Sequence, residues 1–194
     1  MIVTLTGVSA AGKSTVGKWL RKRFGDILKP VISITTRKPR ESDPPGEYKY
    51  VSAEEFQKMK DAGKLIWDVC PYGTDRYGTL FQSLEETKRE PDSIFLMVLE
   101  PKSVGKLHLH AKKMGLNVHS FYIVSPPEAE LRRRFEERGD KPEDIERRTK
   151  ESAKWDDRAL ESGIPYLFIR NDLDNTGKIG AVTIATEIIE RMSA

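Results

Sequence analysis

The sequence predicts an α/β fold, a central parallel sheet covered by helices on both faces, with a smaller unit inserted into it. Three observations carry this. Short apolar runs alternate with amphipathic stretches along most of the 194 residues. The first run, MIVTLT, passes directly into a glycine-rich turn and then into a helical pattern. The segment from about 33 to 90 breaks the alternation with loops rich in Pro, Gly and charge.

Taken in order, Met1 to Thr6 reads as a buried strand and Lys13 to Phe24 as a helix stopped by Gly25. Val31 to Ile34 is a second apolar run. Residues 35 to 49 read as loop, with a short strand at Tyr50 and Val51. Ser52 and Glu55 stand at capping-box spacing and open a helix that Gly63 ends. Leu65 to Val69 reads as a strand, residues 70 to 79 as loop and Leu80 to Lys88 as a helix. SIFLMVL, 93 to 99, is the strongest central-strand candidate, followed by a helix from Pro101 to Met114 and a strand over 118 to 124. Pro126 and Pro127 start a helix that runs to Arg138, with Gly139 after it. Pro142 to Glu161 reads as one long charged helix, YLFIR as the last strand and IGAVTIATEIIERM as a final amphipathic helix.

Composition narrows the function. With 33 basic against 30 acidic residues the net charge is +3, too balanced for a polyanion binder, so no nucleic-acid partner is expected. No apolar stretch reaches the roughly 18 residues that span a bilayer, and no basic segment precedes the first apolar run, so neither membrane nor secretion is expected. Cys70 is the single cysteine, which excludes an internal disulfide and a cysteine-based zinc site and fits a reducing cytoplasm. His108 and His110 fall on different faces of their helix, so both are expected at the surface rather than on a metal.

The first chemical signal is GVSAAGKS at 7 to 14, a full G-x-x-x-x-G-K-[ST] between a strand and a helix. Gly7 and Gly12 allow backbone angles that turn the loop's N–H groups inward around a phosphate, and the helix adds its positive end. The candidate donor-nucleotide contacts are Gly7, Ser9, Ala10, Ala11, Gly12, Lys13, Ser14 and Thr15. Lys13 is placed to reach the β- and γ-phosphates, and the Ser14 hydroxyl to bind Mg²⁺. The expected core is thus the three-layer P-loop NTPase arrangement. Such a loop alone fits an NTPase, a GTPase switch or a kinase.

The second signal is SITTRKPR, 33 to 40. Arg37 and Arg40 are separated by two residues in a loop pinned by Pro39, and guanidiniums hold phosphate bidentately. Tyr48 and Tyr77 add hydroxyl donors, and Ser33 and Thr79 can add more. Two phosphate cradles in one small protein point to donor and acceptor nucleotides and to phosphoryl transfer between them.

SITTRKPR, GEYKYVSAEEF, DRYGT and SPPEAELRRRFEERG together resemble the guanylate kinase family, from the glycine loop to IRND, most of the chain. The resemblance implies a core formed by 1–32 and 91–194, an inserted nucleoside-monophosphate-binding subdomain over 33–90 and a helical lid over about 132–150. It implies ATP, with Mg²⁺, phosphorylating GMP or dGMP, by a monomer or homodimer. By position, Ser33, Arg37, Arg40, Tyr48 and Tyr77 match residues that hold the acceptor phosphate, and Thr79 one that touches guanine. Arg134 and Arg148 match lid arginines that close on the transferring group, with Arg138 a further candidate. Asn171 matches a residue near the adenine. The expected catalytic set is Lys13, Arg37, Arg134 and Arg148.

The chain departs from the family twice. A glutamate that reads the guanine edge is replaced in direct alignment by Trp67, whereas counting back from Tyr77 offers Asp68. An Asp-x-Asp pair is replaced by Val98 and Glu100, of which Glu100 can still read the base or hold Mg²⁺ through water. These departures keep open a kinase with another acceptor, a different nucleoside monophosphate or a phosphosugar. A non-catalytic peptide-binding module is the third reading, and the intact Gly12-Lys13-Ser14 argues against it.

Overall fold

The computed structural model describes residues 1–41, 43–71, 73–171 and 178–193. The chain begins with β1 (Ile2–Thr6), α1 (Lys13–Phe24), β2 (Leu28–Pro30), β3 (Ser33–Thr35) and β4 (Tyr48–Tyr50). Next come α2 (Ala53–Asp61), β5 (Leu65–Val69), β6 (Tyr77–Leu80) and α3 (Phe81–Glu86). β7 (Ile94–Leu99), α4 (Pro101–Lys113), β8 (Val118–Ile123), α5 (Glu128–Glu137) and α6 (Pro142–Ser152) follow. α7 (Trp155–Glu161), β9 (Tyr166–Ile169) and α8 (Lys178–Met192) come last.

The core sheet has the order β2-β7-β1-β8-β9, and every pairing in it is parallel. β7 is interior, as its apolar run requires, but β1 is the middle strand. β1 is buried along its whole length because helices cover both faces. Val3 and Leu5 pack with Val16 and Leu20 of α1 and Ile184 and Ile188 of α8. Ile2 packs on the other face with Phe95, Met97 and Leu107. Each such burial contributes about 1.5–3 kcal/mol. The polar residues between them are satisfied in a chain: Thr4 Oγ1 donates to Ser120 Oγ at 2.9 Å, which lies 2.8 Å from His108 Nε2. His108 is therefore packed against the sheet, not placed on the surface as its spacing suggested.

A second sheet, β4-β3-β6-β5, is built from the segment that broke the alternation. β3 pairs parallel with β4 and antiparallel with β6, and β6 pairs antiparallel with β5. Several expectations change here. The run Val31 to Ile34 divides: Val31 follows the core edge strand β2, whereas Ile34 lies in β3 of the other sheet. The expected loops contain β4 and β6, strands of three and four residues. The helix expected over 80 to 88 is α3, followed by a single 3₁₀ turn at Thr87–Arg89. The Ser52–Glu55 capping box forms in full, with Glu55 N–H donating to Ser52 Oγ at 3.1 Å and Ser52 N–H to Glu55 Oε2 at 2.9 Å.

The long helix expected over 142 to 161 is two, α6 and α7, separated at Ala153 and Lys154. The break turns Trp155 into the core, where it is 5% exposed. It also lets Asp156 accept from Tyr122 Oη and Ser125 Oγ, both at 2.7 Å, which ties α7 to the end of β8. Among the described residues no helix is long and apolar enough to cross a membrane.

Candidate active site

β1 ends at the loop that the glycine motif predicts, and α1 begins at Lys13. Gly7 takes φ 147°, and a Cβ there would stand 2.5 Å from the Ile123 carbonyl oxygen. Gly12 takes φ 100°, with a Cβ 2.3 Å from Asn171 Nδ2. Both positions thus exclude a side chain on backbone angle and on space. Ala10 also has positive φ, 64°, a strain of roughly 1–2 kcal/mol. The Lys13 ammonium is folded back onto the loop, donating to the Gly7 carbonyl at 2.8 Å and that of Val8 at 2.6 Å. Burial, and then the nearby Arg138, lower its pKa to about 8.

A cavity of about 680 Å³ opens from this loop. It runs from Gly7, Ser9, Ala10, Gly12, Lys13, Ser14 and Thr15 to Ser33, Arg37, Arg40, Tyr48 and Tyr77 on the second sheet. Arg37 is 6% exposed; it donates to Asp43 Oδ1 at 2.8 Å and to the Lys38 carbonyl at 2.7 Å. Its Nε is buried and has no hydrogen-bond partner among the described residues. Its guanidinium carbon lies 5.3 Å from the Tyr48 ring centroid, and Tyr48 meets Tyr77 edge-on at 6.2 Å. Burial, then the charges of Arg37 and Arg138, pull the Arg40 pKa down; Tyr77 partly opposes this, and Arg148 adds a smaller lowering. Cations gathered this closely make a site for an anion.

Arginines of α5 and α6 stand on the third side. Arg134 donates to the Ala10 carbonyl at 3.0 Å and to Glu130 at 2.7 Å, and Arg138 reaches Ser9 Oγ at 3.5 Å. Both line the cavity. Arg148 lies in an adjoining hollow of about 80 Å³ with Ser9, Arg40 and Tyr77, 3.6 Å from Asp140 Oδ2. Asn171 also lines the main cavity; its Nδ2 donates to the Ala11 carbonyl at 3.4 Å, and its Oδ1 is buried without a partner among the described residues.

Of the expected acceptor residues, Asp68 is one that the geometry does not bring to the cavity. β5 does carry a one-residue shift, a bulge between Leu65 and Trp67 that sets Trp67 opposite Thr79. Side chains alternate along a strand, so Trp67 and Val69 line the cavity and Asp68 faces away. There Asp68 Oδ2 accepts from Arg76 at 2.8 Å and Lys60 at 3.0 Å. Thr79 is fully buried behind the cavity wall, its Oγ1 3.1 Å from Ser33 Oγ. Glu100 lines the cavity beside Val98 and accepts from Ser103 Oγ at 3.0 Å.

No group of three or more His, Cys, Asp or Glu is placed to hold a metal among the described residues. Ser14 and Glu100 line one cavity. That donor set suits Mg²⁺, which keeps most of its waters and takes substrate phosphate oxygens.

Sequence reasoning missed Asp43 and Glu47. Asp43 accepts from Arg37, from Tyr50 Oη at 2.6 Å and from the Arg40 N–H at 2.7 Å, and so shapes the arginine loop. Its spacing, three residues after Arg40, was the available signal.

A glycine loop between β1 and α1, facing a second cationic pocket across one cavity, defines a P-loop nucleotide-binding α/β protein. The sequence profile described as Guanylate kinase matches residues 1–184. The chain belongs to the guanylate kinase family. It is 32% identical to a guanylate kinase of Corynebacterium jeikeium, with 97% of this chain and 95% of that one covered. It is 28% identical to a guanylate kinase of Chlamydia abortus, over 92% of this chain and 84% of the other. The crystal structure of guanylate kinase from Anaplasma phagocytophilum superposes with a TM-score of 0.65, covering 98% of this chain and 85% of that one. At 21% identity that likeness speaks to the fold.

Proposed function

We propose that this protein transfers the γ-phosphoryl group of ATP to GMP or dGMP, giving ADP and GDP or dGDP. The observation that carries the reading is the single cavity with a glycine loop at one end and Arg37, Arg40, Tyr48 and Tyr77 at the other. Residues 1–32 and 91–194 serve as the core, 33–90 as the acceptor subdomain and about 132–150 as the lid. The loop N–H groups and Lys13 hold the donor phosphates, while Asn171 stands at the adenine end. Ser14, with Glu100 through water, would hold Mg²⁺, which neutralises phosphate charge when bound.

Arg37, Arg40, Tyr48 and Tyr77 hold the acceptor phosphate so that one of its oxygens lies in line with the γ-phosphorus. That oxygen is already anionic and needs no general base. Charge spreads over the transferring group, and Arg134, Arg138 and Arg148 stabilise it as the lid closes. Closure also keeps water from taking the group. The substrates are small soluble nucleotides, and we place the enzyme in the cytoplasm.

One observation favours a second reading. The cavity wall carries Trp67 and Val98, apolar side chains where the resemblance implies carboxylates, so an acceptor other than GMP also fits. An ADP-release assay with GMP, dGMP, AMP, CMP, UMP and a sugar phosphate separates the two. Preferred turnover of GMP supports the first reading; preferred turnover of another acceptor replaces it.

A further inference from the structure

The cavity contains a carboxylate that works against anion binding. Glu47 is 8% exposed and lines the cavity, and its charge is felt at Lys13. A phosphate entering the acceptor pocket approaches it, and like charges in a confined site of low polarity repel. The cation that pairs with Glu47 comes from outside the phosphate pocket. Arg21 on α1 donates through Nη2 to Glu47 Oε2 at 3.3 Å.

The fold makes room for this arginine. One turn earlier, Gly17 occupies a helix interior, where glycine is a poor helix former. A Cβ there would lie 3.2 Å from Arg21 Nη1 and 3.8 Å from a Leu96 methyl carbon. Glu47 is fixed from its backbone: its N–H donates to the Pro44 carbonyl at 3.3 Å, and its carbonyl accepts from the Ser33 N–H at 3.0 Å.

We propose that Arg21 is a positioning residue of the acceptor site: by pairing with Glu47 it cancels a carboxylate that would otherwise repel the acceptor phosphate. The inference rests on the acceptor reading given above. Arg21 is not among the described residues that line the cavity, so it acts through Glu47.

The test compares the wild type with Arg21→Lys, Arg21→Gln and the double variant Arg21→Gln/Glu47→Gln. GMP binding is measured by calorimetry without ATP, and KM for GMP and for ATP by ADP release. Arg21→Gln is expected to weaken GMP binding and raise its KM about tenfold, or 1.4 kcal/mol, while KM for ATP moves less than about threefold. Arg21→Lys keeps the charge and stays within about threefold of wild type. Removing the Glu47 charge from the Arg21→Gln protein restores GMP binding to within about threefold of wild type, which repair of a merely structural defect would not do. An unchanged Arg21→Gln, or a double variant no better than it, overturns the proposal. A wild type that binds GMP without phosphorylating it refutes the kinase reading, and the calorimetric comparison still decides on Arg21. A wild type that neither binds nor turns over GMP refutes both.

Discussion

Lys13 shows how one buried charge sets a pH limit. Burial and Arg138 bring its pKa to about 8, so it carries its proton below that value and loses it above. kcat/KM for ATP reports the free enzyme and is expected to be level below about pH 8 and to fall about tenfold per unit above it. The bound phosphates favour the ammonium, so kcat falls only at higher pH. A kcat/KM for ATP that stays level to about pH 10 contradicts this role. Glu100 carries the other residue-scale prediction. In the proposed reading its carboxylate would accept the guanine N1–H and N2–H₂, which adenine lacks. Glu100→Gln is expected to cut kcat/KM for GMP by about 10- to 100-fold, the worth of hydrogen bonds to a charged group, and to change that for AMP far less.

Among the elements, β5 decides which side chains meet the acceptor. Its bulge turns Trp67 inward and leaves Asp68 to clamp Lys60 of α2 and Arg76. Asp68→Ala is therefore expected to leave KM for GMP within about twofold and to cost about 1 kcal/mol of stability. The hydrogen bond from Arg76, partly opposed by burial and aided by Lys60, holds the Asp68 carboxyl below the usual range. A depressed carboxyl stabilises the fold above its unfolded pKa of about 3.9 and loses that contribution as pH falls through its folded value. Urea unfolding of both proteins is expected to show the stability difference at pH 7 and its shrinkage in acid. A KM for GMP that rises tenfold on Asp68→Ala restores Asp68 as a base reader.

At the scale of the whole molecule, the core was legible because its strands are long apolar runs separated by helices, as in β1 and β7. The glycine loop was legible because its spacing is itself a backbone requirement, now visible at Gly7 and Gly12. The second sheet was not. β3, β4 and β6 have three or four residues each, too few for a period to show, and Ser33 pairs with Thr79 across a long stretch of chain. The bulge at β5 could not be located from sequence, because it depends on how β6 pairs. The break between α6 and α7 was hidden because charged residues continue through it without Gly or Pro.

These scales converge on one claim, that donor and acceptor phosphates meet in a single cavity. The most direct test incubates the protein with Mg²⁺, GMP and ATP labelled in its γ-phosphoryl group, and separates the products. The label is expected in the β-position of GDP, formed together with unlabelled ADP. Label released as inorganic phosphate, or left in ATP while GMP remains unmodified, contradicts the account.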